Sequence, residues 1–202
     1  MTEKRSLLAF VFSDKFQIVL LALIFLIPIG AAFFWKPTEL VNQGELVQPA
    51  RPVANIPMQA LDGESVPFAQ LATKWTMIYF GPADCPKACQ TALYDMRQVR
   101  LAQGVNRERV QYVLVLVDGE PGAGLQTLRR EHPQLRVMSA TAQNLHALAE
   151  EFRLPEGSPL DGLGRVYLVD PLGNFMMSYP QGADPTGMNR DLARLLKASR
   201  IG

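Results

Sequence analysis

The chain is poor in the residues that hold metals and staple small domains. Its 202 residues include two cysteines and two histidines. That excludes a four-ligand zinc site of the usual cysteine and histidine spacing and a framework of several disulfides. Neither sign of charge is in excess, with 20 Lys plus Arg against 19 Asp plus Glu. Without a basic block, nucleic-acid binding has no support. Internal repeats and low-complexity tracts are absent, which sets aside solenoids and disordered arrays. Charge is also missing from one long run: residues 16–35 hold no Asp, Glu, Lys or Arg, and only Gln17 is strongly polar.

A helix over residues 16–35 is about 30 Å long, enough to cross a bilayer core. Lys4, Arg5 and Lys15 precede it, and only Lys36 follows before Arg51. The positive-inside bias then puts residues 1–15 in the cytoplasm. Residues 16–35 become a single-pass anchor in the cytoplasmic (inner) membrane. The rest lies outside, in the periplasm if the source is bacterial. A cleaved signal peptide is the rival, with Ile18 to Ile29 as its apolar region and Gly30-Ala31-Ala32 as its cleavage site. Phe34 and Trp35 suit an interfacial aromatic belt and favour the retained anchor. Either way the remaining chain meets an oxidising compartment.

Residues 36–53, with Pro37, Pro49 and Pro52, read as an extended linker. Residues 54–202 are the right length for one domain with one core. Ile56 to Leu61 and Ser65 to Phe68 form a hairpin about Asp62-Gly63. Trp75 to Phe80 and Val110 to Val117 are continuous apolar runs, as in strands covered on both faces. Helices are expected from Pro86 to about Gln103, Leu125 to Glu131, Thr141 to Phe152 and Met188 to Ser199. Leu135 to Met138 is a short strand. Arg165 to Val169 and Asn174 to Tyr179 make a second hairpin. Strand and helix alternate in the centre with hairpins outside, which predicts an α/β fold: a mixed sheet flanked by helices. Right-handed crossovers make strands 75–80 and 110–117 parallel. Sites in such sheets form beyond the carboxyl ends of the strands, where Cys85 and Asp118 lie.

Both cysteines fall in Cys85-Pro86-Lys87-Ala88-Cys89. As a staple they close a five-residue loop, contributing only about 2 kcal/mol in the chain-entropy model. Residues four apart within a helix hold their Cβ atoms about 5–6 Å apart, whereas a disulfide needs about 3.5–4.5 Å. Cys85 is therefore expected at the N-cap with Pro86 at the first helical position. There the helix dipole and Lys87 would lower its pKa, making Cys85 the attacking thiolate and Cys89 the resolving one. Two thiolates also suit copper(I). His132 is expected at a helix end far from Cys85, and His146 in a packing or solvent position. Met176 and Met177 read as one core and one surface residue. A likeness to the peroxiredoxins is disfavoured, because that family has Thr or Ser three residues before its reactive cysteine and Pro82 stands there.

Several segments together resemble the Sco/SenC family of thioredoxin-like copper proteins. They are Trp75-Thr76-Met77-Ile78-Tyr79-Phe80-Gly81, Cys85-Pro86-x-x-Cys89, Val117-Asp118 and Tyr167-Leu168-Val169-Asp170-Pro171-x-Gly173. The resemblance covers about residues 54–200 and implies a thioredoxin-like domain. It also implies a role in assembling the copper site of cytochrome c oxidase, as thiol reductant of an oxidase subunit, as copper(I) carrier, or both. A reductant needs a thiol electron donor as a further partner and no cofactor. The family's metal-ligand histidine corresponds to Gly162, after Asp161, and the proline that usually follows the second cysteine is Gln90. The resemblance thus carries over Cys85 and Cys89 as catalytic residues or copper(I) ligands, and no histidine.

Overall fold

The run from Trp75 to Gly81 has no polar face to turn to water, so as a strand it must be covered on both sides. It forms β4 (Trp75–Gly81), buried at every position. The structure is a computed structural model that describes residues 14–34, 42–71, 73–118, 123–199 and 201. The chain divides into two units, residues 1–41 and 42–202. In the second unit the other strands are β1 (Glu45–Pro52), β2 (Pro57–Ala60), β3 (Ser65–Pro67), β5 (Val110–Leu116), β6 (Arg136–Ser139), β7 (Val166–Val169) and β8 (Asn174–Tyr179). They form one sheet in the order β1-β8-β7-β4-β5-β6-β2-β3.

The helices in chain order are α1 (Asp14–Phe34), α2 (Phe68–Leu71), α3 (Lys87–Ala102), α4 (Ala123–Glu131), α5 (Ala142–Glu151) and α6 (Pro185–Ala198). β4, β5 and β6 run parallel, joined by crossovers through α3 and α4. The hairpins expected from Asp62-Gly63 and from residues 170–173 lie on either side of this centre, pairing antiparallel. Thr141 caps α5 as expected, its side chain accepting from the Asn144 N–H.

Alternation along the strands divides the core. Trp75, Met77 and Tyr79 join Tyr112, Leu114, Val166 and Leu168 under α3, α4 and α6. Ile78, Phe80, Val113, Val115 and Tyr167 face the other way, under α2 and α5. A bulge in β8 opposite Leu168 and Val169 breaks the period of two. Phe175 and Met177 therefore belong to opposite faces. Met177 is buried and Met176 half-buried. On the second face Phe152 meets the rings of Phe175, Tyr167 and Phe80 at 5.0, 5.5 and 5.6 Å between centroids.

The linker expected over residues 36–53 is partly sheet. β1 pairs antiparallel with β8, and its pairing is interrupted between Leu46 and Arg51. Pro49 and Pro52 cannot donate to a ladder and its exposure does not alternate, so no period of two marks it in the sequence; prolines are tolerated because this is an edge strand. Just before it, Asp191 holds the chain down. Its buried carboxylate accepts from the Gln43 and Gly44 N–H groups at 2.8 and 2.9 Å and from the Tyr179 hydroxyl at 3.3 Å. Arg194 lies 3.7 Å from its other oxygen. Gly44 permits the close approach: a Cβ there would fall 2.6 Å from both the Met177 sulfur and the Tyr179 ring.

In the first unit, α1 is exposed and apolar on all sides across residues 18–29, with Pro28 inside it. Side chains are described over residues 17–31, about 22 Å of helix. Among the described residues no helix is long and apolar enough to cross a membrane. The anchor expected over 16–35 extends beyond that stretch at both ends.

Truncating Asp191 leaves three donors without their acceptor. Asp191→Ala is expected to destabilise the 42–202 unit by about 3 kcal/mol in urea unfolding, since hydrogen bonds to a charged group are worth about 1.5–3 kcal/mol each. Hydrogen exchange should accelerate first at the Gln43 and Gly44 amides.

Candidate functional site

The two central parallel strands end at the same edge, and their following loops are laced together. The Val117 N–H donates to the Gly81 carbonyl at 3.1 Å, and the Ala83 N–H to the Asp118 carbonyl at 3.2 Å. From there the chain turns sharply, with the Cys85 N–H donating to the Pro82 carbonyl at 3.1 Å. Cys85 takes φ +38°, the left-handed region that an L-residue with a Cβ rarely adopts. Pro86, with φ −62° and ψ 172°, is the N-cap of α3. Cys85 therefore sits one residue further out than the N-cap position expected for it. The left-handed turn swings Cys85 off the helical path, where the four-residue spacing would hold the sulfurs too far apart.

The sulfurs are joined as a Cys85–Cys89 disulfide, with Cα atoms 5.1 Å apart. Both residues are buried, 3% and 1% exposed, against the core face that carries Tyr79, Leu93 and Met188. Asp84, Pro86, Lys87, Ala88 and Gln90 around them are exposed, as is Asp118. Reasoning from the sequence did not find the part played by Gln90. Its side-chain amide donates to the Cys85 carbonyl at 3.0 Å, and its backbone N–H to the Pro86 carbonyl at 3.0 Å. A proline at this position could make neither bond. The absence of proline after Cys89 was the one signal available.

The two histidines lie elsewhere. His132 follows the end of α4, as expected, and is buried edge-on to Tyr112 at 6.2 Å between ring centroids. Tyr112 is near the start of β5, about 13 Å of strand from the edge beyond which Cys85 lies. Burial first, then the nearby Arg97, lowers the His132 pKa, against a smaller opposing effect of Glu131. His146 is exposed on α5, whose core residues Leu145 and Leu148 pack on the sheet face opposite the cysteines. Gly162 closes a short 3-10 turn, Pro159–Asp161, in the left-handed conformation at φ +73°. Asp161 is engaged there in a capping box, accepting from the Ser158 N–H at 2.7 Å. Among the described residues no group of three His, Cys, Asp or Glu could hold a metal ion. Among the described residues, the thiol donors at the site are the two cysteine sulfurs.

Residues 75–199 match the family model described as transmembrane-like, thioredoxin-like, C-terminal domain. The chain belongs to that family. The resemblance to Sco proteins seen in the sequence also appears in the comparisons. The mitochondrial SCO1 homolog 1 of Arabidopsis thaliana is 24% identical over 156 residues, 69% of this chain. The chain spans less than half, 45%, of that relative's length. Arabidopsis thaliana ScoI with copper bound superposes with a TM-score of 0.60 at 19% identity, over 73% of this chain and 99% of that one. Bradyrhizobium japonicum ScoI with copper bound gives 0.57 at 22%, over 71% and 98%. At these identities the structural likeness speaks for the fold, and the thioredoxin-like mixed sheet with flanking helices is shown.

The lowered pKa of His132 fixes the sign of a pH effect. The unfolded chain, with an ordinary histidine near pH 6.5, takes up the proton before the folded one does. Stability from neutral, buried His132 is therefore present above about pH 6.5 and is lost as pH falls below it. Denaturant midpoints of the full chain and of His132→Phe between pH 8 and 5 should show a steeper acid-side decline in the unsubstituted protein. Parallel curves would mean His132 is not the titrating group.

Proposed function

We propose that this chain is a membrane-anchored thiol–disulfide oxidoreductase of Sco type, assisting copper-site assembly in cytochrome c oxidase. The observation that carries the reading is the Cys85–Cys89 bond at the carboxyl edge of a thioredoxin-like sheet. Cys85, one residue before the N-cap of α3, is taken as the attacking cysteine and Cys89 as the resolving one. Once the pair is reduced, the Cys85 thiolate attacks one sulfur of a partner disulfide. A mixed disulfide forms and the partner's other sulfur leaves as thiolate. The Cys89 thiolate then attacks the Cys85 sulfur, restoring the Cys85–Cys89 bond and releasing the second partner thiolate. Two electrons pass to the partner, and an external thiol donor must return them. The charge-free run 16–35, apolar all round over residues 18–29, supports an anchor with the domain on the far side of the cytoplasmic membrane.

A second reading has its own support: the similar Arabidopsis and Bradyrhizobium structures hold copper. The residues here fit copper(I) as cargo on two thiolates and do not fit a three-ligand site, since neither His132 nor His146 is near.

Cys89→Ser in the reduced full chain is expected to trap a one-to-one covalent adduct on Cys85 when offered a disulfide-bearing oxidase-subunit peptide. Mass spectrometry reads the adduct, and dithiothreitol releases it. Cys85→Ser should give at least tenfold less. No adduct on Cys85 would sink the redox reading. An anaerobic copper(I) competition titration separates the second reading. One-to-one binding lost in the doubly substituted Cys85→Ser, Cys89→Ser chain would support carriage.

A further inference from the structure

A cleft of about 180 Å³ runs along α3 past Ala88, Ala92 and Asp95, and is walled opposite by Val166, Ala183 and Met188. Residues 88, 92 and 95 recur at spacings of four and three, so they form one stripe of the helix. Ala88 and Ala92 flank Cys89 in sequence. Ala92, Val166, Ala183 and Met188 pack in the same cluster as Cys85 and Cys89. Among the described residues the lining is mostly apolar, and Asp95 is its one carboxylate.

Asp95 has no place in the redox chemistry. It is half-buried, and burial alone shifts its carboxyl above the usual carboxylate range. Among the described residues its carboxylate has neither a hydrogen bond nor an ion pair. A partly desolvated charge without a partner destabilises the free protein and gains most from a cation brought to it. We propose that this cleft docks an extended segment of a partner protein, one that places a lysine or arginine against Asp95 and apolar side chains against Ala92 and Val166. This rests on the reading of Cys85–Cys89 as the place where a partner disulfide is met, and it specifies the partner's chemistry: a basic residue beside apolar ones, about 15 Å, or some three helical turns, from the sulfur that Cys85 attacks.

The test uses the oxidised full chain in a neutral detergent and two fluorescent nine-residue peptides. They share two leucines and a serine in place of cysteine, and differ in one central residue, lysine or glutamate. Anisotropy should show the lysine peptide binding about fivefold to tenfold tighter, between the values for an exposed and a buried charge pair. The preference should fall below about twofold in Asp95→Asn, invert in Asp95→Lys, and shrink in high salt. Asp95→Asn removes an unpaired charge, so its melting temperature should match or exceed that of the parent. Binding of neither peptide, equal binding of both, or a preference that survives Asp95→Asn overturns the proposal. A separate arm follows release of thionitrobenzoate when the reduced chain meets Ellman's reagent. Silence there with the lysine preference intact overturns the redox reading and leaves the docking cleft standing.

Discussion

A thiol pair four residues apart cannot close a disulfide inside a regular helix, and the rest of the site follows from that constraint. The chain meets it by placing Cys85 outside the helix in a left-handed turn. Such a backbone costs about 1–2 kcal/mol for a residue with a Cβ. Closing so short a loop contributes only about 2 kcal/mol. The two nearly cancel, so the bond adds little to the stability of the fold. The surroundings hold the turn instead: the Pro82 carbonyl from one side, the Gln90 amide from the other, and the Ala83–Asp118 bond tying the loop to the neighbouring strand. A turn held this firmly around a bond of little stabilising value is better suited to chemistry than to stapling.

The sheet decides which donors can join that chemistry. Because β4 is buried on both faces, the protein has two cores that do not mix. The cysteines belong to the face under α3, α4 and α6. His146 rides on α5, across the sheet. His132 shares the cysteines' face but sits against Tyr112 at the far end of β5. Topology alone keeps both imidazoles away from the two sulfurs, without any appeal to ligand geometry.

Most of the fold could be read from the chain because its signals are local. Continuous apolar runs gave the central strands, Asp62-Gly63 gave a hairpin, and Thr141 gave a cap. Two features were not legible, for separate reasons. β1 contains two prolines and no alternation, and it is a strand only because β8 offers an edge and Asp191 fixes the preceding residues. The position of Cys85 depends on a positive φ that nothing about a cysteine announces. The cysteine pair itself was plain, but its burial and the Gln90 contact arise from tertiary packing. Asp95 carried no sequence signal either, since an aspartate on a helix is ordinarily solvated.

Gly162 bears on the choice between sulfur chemistry and a three-ligand metal site. A glycine could stand there by simple loss of a side chain, or because the backbone needs one. The second accords with the structure: Ser158 and Asp161 cap the preceding turn reciprocally, and residue 162 ends it at φ +73°, where glycine is favoured. A Cβ built there meets nothing within 4 Å, so the obstacle to a histidine is the backbone and not space. Placing an imidazole at this position would cost about 1–2 kcal/mol in the left-handed conformation. It would otherwise require the capped turn to be rebuilt, with Asp161 released from the Ser158 N–H. The loop is organised around the glycine, which fits a site whose chemistry rests on its two sulfurs.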